Sequence, residues 1–129
     1  MRSLIFAASL LLVTPALSTE WVYCGDANNE VSVGVLLGGV EFVNISGITL
    51  VANGKQWASS PTYGEGEPVA IAQTFIGDDQ IIIDFAEEEN SDTLAQLRVY
   101  VAEEGEDYVQ GGILRVAGQG AWIVSCEGP

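Results

Sequence analysis

The sequence predicts a single small all-β domain, an antiparallel β-sandwich or closed β-barrel of about eight or nine strands. Three observations carry this. Apolar residues alternate with a period of two, and no stretch after residue 18 follows the helical period. Turn signals interrupt the alternation every few residues. The only two cysteines, Cys24 and Cys126, lie at opposite ends of this region, so a bond between them would set the first and last strands side by side.

The chain opens with a different pattern. Met1-Arg2-Ser3 is a short basic start, Leu4 to Val13 is apolar, and Thr14-Pro15-Ala16-Leu17-Ser18 ends in small-x-small. That order is the mark of a cleavable signal peptide over residues 1–18, leaving one domain over residues 19–129. The apolar run is too short to span a bilayer, which needs about 20 residues. Cys24 follows the bulky Trp21-Val22-Tyr23, so no lipidation site is formed at the junction. The expected product is periplasmic or secreted, with no membrane anchor in the mature chain.

The strands follow in order. Trp21 to Cys24 is short and ends at the turn Asp26-Ala27-Asn28-Asn29. Val31, Val33, Val35 and Leu37 alternate with Ser32, Gly34 and Leu36, which gives one wholly apolar face before Gly38-Gly39. Val40 to Ile45 is the next strand, broken at Ser46-Gly47. Ile48 to Ala52 then meets Asn53-Gly54, a strong two-residue hairpin signal, and Lys55 to Ser59 returns. Pro61 to Pro68 reads as a long loop, because its prolines cannot donate to a ladder. Val69 to Ile76 is followed by the turn Gly77-Asp78-Asp79. Ile81, Ile83 and Phe85 face one way, and Ile82 and Asp84 the other. After the acidic stretch Glu87 to Asp92, residues Ala95, Leu97, Val99 and Val101 face inward. Tyr108 to Ala117 follows the acidic turn Glu103 to Asp107, with Gly111-Gly112 reading as a bulge. Ala121 to Cys126 is the last strand.

Charge and composition narrow the chemistry. A cut after Ser18 removes Arg2 and leaves Lys55, Arg98 and Arg115 against 18 acidic residues, a balance of about −15. Such a field repels nucleic acids and anionic membranes and attracts basic proteins or cations. The chain has no histidine, which removes the usual general base near neutral pH and the commonest metal ligand. It has no Gly-x-Ser-x-Gly elbow, no phosphate-binding loop and no Cys-x-x-Cys. The expectation is a protein without enzymatic activity or cofactor.

Three constellations remain. Trp57, Ser59, Tyr63, Glu65 and Glu67 gather aromatic rings and carboxylates on and beside one loop, a composition suited to recognising a partner. The plainer reading places Trp57 in the core. Glu87, Glu89 and Asp92 offer oxygen ligands to calcium, although their spacing is not that of an EF-hand loop. Asp84 and Arg98, on outward faces of consecutive strands, suit an exposed cross-strand ion pair.

Two resemblances bear on function. Cys24 with Cys126, Tyr63-Gly64-Glu65-Gly66-Glu67-Pro68, Leu94-Ala95-Gln96-Leu97-Arg98 and Gly120-Ala121-Trp122-Ile123-Val124-Ser125-Cys126-Glu127 resemble small exported bacterial proteins of unassigned function. That likeness covers most of the mature chain and implies no activity. Ser59-Ser60-Pro61-Thr62-Tyr63 is similar in spacing to the Ser-Gly-x-x-Tyr motif of the periplasmic inhibitors of C-type lysozyme. The likeness implies that Ser59 and Tyr63 line an inhibitory surface. Ser60 stands where that family has glycine, and its downstream Lys-Gly motif is missing. The first expectation is therefore an exported binding protein for a basic partner, such as a cell-wall hydrolase. The alternatives are a calcium-dependent structural or adhesive module and a carboxylate-based hydrolase.

Overall fold

A computed structural model describes residues 20–39, 43–87 and 92–128. The expected signal peptide and Glu89 lie outside these residues. Among those described the chain is all-β. Ten strands run in order: β1 (Glu20–Gly25), β2 (Val31–Gly38), β3 (Asn44–Ala52), β4 (Lys55–Ala58), β5 (Glu67–Pro68), β6 (Ala70–Ile76), β7 (Gln80–Ala86), β8 (Thr93–Glu104), β9 (Asp107–Val116) and β10 (Gly120–Glu127).

All ten form one sheet, ordered β5-β4-β3-β2-β1-β10-β9-β8-β7-β6, which curls into a nearly closed barrel. The order divides it into two runs of consecutive strands, the meanders β1–β4, extended by the parallel β5, and β6–β10. They join in two places. In the middle of the sheet β1 pairs antiparallel with β10, and Cys24 lies directly opposite Cys126, to which it is bonded. At the sheet's two edges, β5 and β6 are separated in sequence by Val69 alone, so the chain itself crosses the seam. Val69 is buried there.

Alternation decides what fills the barrel. Val31, Val33 and Val35 point inward from β2, Ile48, Leu50 and Ala52 from β3, Ile83 and Phe85 from β7, and Leu97 and Val99 from β8. Leu114, Val116 and Val124 complete one continuous core. Each fully buried side chain of this size contributes about 1.5–3 kcal/mol.

The turns obey local chemistry. Asn53 and Gly54 both take positive φ, 51° and 83°, as a two-residue hairpin of this kind requires. The Asp26 carboxylate accepts hydrogen bonds from the backbone N–H groups of Asn28, Glu30 and Val31, which closes the β1–β2 turn. At the same end of the barrel Trp122 Nε1 donates to Glu30 (3.0 Å) and Asn53 Nδ2 donates to the Gln119 carbonyl (3.1 Å), binding neighbouring turns together.

Several expectations are corrected. The strands number ten rather than eight or nine: Glu67–Pro68, expected within a loop, pairs parallel with Trp57 and Ala58, and Pro68 is tolerated at the sheet's edge. Ser46-Gly47 does not break the chain, since β3 runs through it with a bulge opposite Leu36 and Leu37. Gly111-Gly112 is not a bulge. The ladders to β8 and β10 continue through it in register. A Cβ at Gly112 would run into the Arg98 carbonyl, and one at Gly111 would come within 2.8 Å of the Val124 carbonyl, so close approach of backbones is what these positions require.

Candidate docking surface

The loop singled out in the sequence does not present its aromatic residues to solvent. Trp57 points inward from β4 and is 2% exposed, a core residue rather than a recognition residue. Parity explains this: Leu50, its partner on β3, faces inward too. Its Nε1 is buried with no hydrogen-bond partner, and Lys55 Nζ lies 5.2 Å from the ring centroid. Ser59 extends the β3–β4 ladder. Its N–H donates to the Ile48 carbonyl (3.0 Å) and its hydroxyl accepts from the Ile48 N–H (2.9 Å).

Tyr63 is half-buried. Its ring meets Trp21 edge-on at 5.6 Å, and Trp21 stacks on Tyr23 at 5.6 Å with an interplanar angle of 13°. Gly47 makes room beneath, for a Cβ there would come within 2.9 Å of the Tyr63 ring. Tyr63 therefore fastens the loop to the outer wall of β1–β3. Glu65 and Glu67 are exposed, and Lys55 Nζ lies 3.6 Å from Glu67. A pair so open to water contributes about 0–1 kcal/mol. Ser59, Ser60 and Glu65 line a depression of about 420 Å³ whose walls include neither Trp57 nor Tyr63.

Glu87 and Asp92 are exposed at the β7–β8 connection, and Glu89 falls outside the described residues. Among the described residues no group of three or more acidic, cysteine or histidine side chains is placed to hold a metal ion.

The wall of β6–β10 carries a surface that sequence reasoning missed. Register places Phe75 opposite Ile82, Ile82 opposite Arg98, Arg98 opposite Ile113, and Ile113 opposite Ile123, a single row across five strands. The row faces outward, because Ile83, Leu97, Leu114 and Val124 take the inward positions between. Ile123 is 84% exposed, Ile113 55% and Phe75 52%; Tyr100 (58%) and Val109 (64%) adjoin them. Between β8, β9 and β10 this wall sinks into a groove of about 700 Å³. Tyr100, Ile113 and Ile123 line it, and Gly111 leaves its floor without a side chain.

Arg98 is the one charged member of the row, and it is turned down onto the sheet. Its Nη2 lies 2.9 Å from Asp84 Oδ1, diagonally across the ladder, and its Nη1 donates to the Leu97 carbonyl (2.9 Å). The ion pair was expected on an exposed face. Its side chains are instead 26% and 15% exposed. Asp84 Oδ1 is buried and has no well-aligned donor, so the guanidinium acts on it as a neighbouring charge.

A rim of carboxylates borders the groove. The β6–β7 and β8–β9 turns lie at the same end of the barrel, joined by the Val101 N–H donating to the Asp79 carbonyl (2.8 Å). Asp78, Asp79, Glu103, Glu104, Glu106 and Asp107 all belong to this end. Asp78, Asp79 and Glu103 share a cleft of about 560 Å³ with Tyr108. The signal for this surface was in the alternation. Leu114 and Val116 point inward, so Ile113 must point outward, and Val124 places Ile123 outward likewise.

Searches against protein-family models, curated proteins and solved structures found no match for this chain.

Proposed function

We propose that the mature chain is an exported, non-enzymatic binding protein whose outer wall over β8–β10 receives a basic protein partner, in its sharpest form a C-type lysozyme. The observation that supports this reading is the exposed apolar groove of Tyr100, Ile113 and Ile123 beside six carboxylates. Apolar surface supplies affinity when covered, and a field of one sign steers an oppositely charged partner toward it. Covering a side chain the size of Ile123 is worth about 1.5–3 kcal/mol. The Ser59–Tyr63 likeness points to the same class of partner, although both side chains are already engaged within the wall.

The test is titration of the mature protein into lysozyme, and in parallel into an unrelated basic protein such as cytochrome c. Binding is followed by calorimetry and lysozyme activity by turbidity, each at low and at moderate salt. Saturable binding that weakens with salt, and falls about tenfold in Ile123→Ser with no change in melting temperature, supports the reading. No saturable binding to either protein at low salt overturns it. Binding to both proteins without inhibition removes the lysozyme form and keeps the basic partner.

A further inference from the structure

β6, the first strand of the second run, ends the sheet without the charges or proline that such edges usually carry. β6 pairs with β7, and among the described residues nothing pairs with its other side. Ala72, Gln73, Thr74 and Phe75 are all exposed. The strands at the opposite edge of the sheet are short, four residues in β4 and two in β5, and neither pairs with β6. Exposed strand edges are commonly guarded by lysine, proline or other charges. β6 reads Ala-Ile-Ala-Gln-Thr-Phe-Ile and has none of them; its one irregularity is the register shift between Ile71 and Gln73. An unguarded row of backbone N–H and C=O groups is a template for a further strand.

We infer that β6 is a strand-addition site, at which an extended, positively charged segment of the partner pairs with the backbone of Ala72–Phe75 and fills the open seam. The charges around the strand select this occupant. Glu65 and Glu67 precede β6, and Asp78 and Asp79 follow it. The cations on neighbouring strands are already engaged: Lys55 lies beside Glu67, and Arg98 beside Asp84, the residue opposite Gln73. A neutral or apolar strand with lysine or arginine at both ends matches that arrangement. A second copy of this chain does not: pairing β6 antiparallel with itself would bring the Glu65–Glu67 end of each copy against the Asp78–Asp79 end of the other. The added strand would also lie beside Phe75, extending the apolar row that begins there. This inference rests on the basic-partner reading and assigns it a mode of recognition.

The probe is a short peptide of alternating valine and threonine with two lysines at each end. Three controls accompany it: the same peptide with alternate backbone amides N-methylated along either edge, a version with glutamate in place of lysine, and the protein without peptide over a range of concentrations. Hydrogen exchange of the Ala72–Phe75 amides and peptide affinity are measured on the mature protein. Strand addition predicts new protection of alternate amides in that stretch. It also predicts at least tenfold weaker binding when the pairing edge of the peptide is methylated, and similar loss in Phe75→Lys. Equal binding of the parent and both methylated peptides overturns strand addition and leaves the basic-partner reading standing. Equal binding of the glutamate peptide overturns the basic-partner reading and leaves the edge as a strand template. Lysozyme binding with no peptide binding removes the strand site alone. Protection of the same amides that grows with protein concentration in the absence of peptide assigns the edge to a second copy instead.

Discussion

Removing the Cys24–Cys126 bond should cost this protein a large share of an ordinary domain's stability, and the reason lies in where the bond sits. The two meanders meet across β1 and β10, and that ladder is short: Tyr23, Cys24 and Gly25 stand opposite Glu127, Cys126 and Ser125. The adjoining β1–β2 ladder runs from Glu20 to Gly25. The disulfide thus fastens the shortest antiparallel junction of the sheet. It also closes a loop with a sequence separation of 102, nearly the whole domain. The chain-entropy argument assigns about 4.7 kcal/mol to a loop of that length. Small domains are stable by about 5–15 kcal/mol, so this is a large share. With unfolding entropies typical of a domain of roughly 110 residues, it corresponds to a fall of about 20 °C in melting temperature.

The assay is urea unfolding of three forms: the oxidised protein, the protein under reductant, and Cys24→Ala with Cys126→Ala. The reduced and alanine forms should agree within about 1 kcal/mol. Both should show a larger dependence on urea, because the unfolded chain is no longer held compact by the cross-link. Native-state hydrogen exchange should quicken first at Tyr23, Gly25 and Ser125. A loss below about 1 kcal/mol, or exchange that quickens uniformly, would refute both the entropic reasoning and the role of this bond as the junction between meanders.

Two further outcomes test the local readings. The backbone N–H of Val31, opposed by a desolvation contribution and aided by the N–H groups of Glu30 and Asn28, holds the Asp26 carboxyl below the usual aspartate range. The unfolded chain therefore takes up this proton first as pH falls, and the stability that ionised Asp26 supplies is complete above that range and drains away through and below it. Asp26→Asn should lower the urea midpoint at pH 7 and flatten its decline as pH falls through and below the usual aspartate range; a parallel curve displaced by a constant would show that the turn does not depend on the ionised form. Gly112→Ala should cost about 3 kcal/mol or prevent folding, because the new Cβ meets the backbone of Arg98 and Val99 rather than a side chain that could move. Gly118→Ala, at φ +74° in open space, serves as the control and should cost only about 1 kcal/mol.

Much of the fold was legible because it depends on patterns that are local in sequence. Period-two alternation placed Val31, Val33 and Val35, Ile83 and Phe85, and Leu97 and Val99 on the inner face, where they are. Asn53-Gly54 named its own turn. The two cysteines named the pairing of β1 with β10, because no other partner existed for either. What was missed depends on relations the pattern does not contain. β5 is a strand only because the loop after Ser60 returns beside β4, held by Tyr63 on Trp21. Gly111-Gly112 fits a bulge and a close backbone approach equally well as sequence, and only the neighbouring strands decide. Trp57 looked like a recognition residue because of its neighbours in sequence, yet its strand parity put it in the core.

The outer wall shows why parity alone stops short of a site. Alternation tells which residues point away from the core, but not whether anything covers them. Leu36 and Ile123 both occupy outward positions on their strands. Leu36 is nearly buried, with Trp21 opposite it on β1 and Gly47 opposite it on β3. Ile123 is almost fully open, for its neighbour Ile113 is itself exposed and Gly111 nearby offers no side chain. The first meander has covered its outward apolar residue with its own aromatic side chains and the Tyr63 loop; the second has no such loop. The asymmetry between two otherwise similar meanders directs attention to β6–β10 as the side on which a partner would complete the molecule. It also explains why the groove, the acidic rim and the unguarded edge of β6 fall on the same half of the chain.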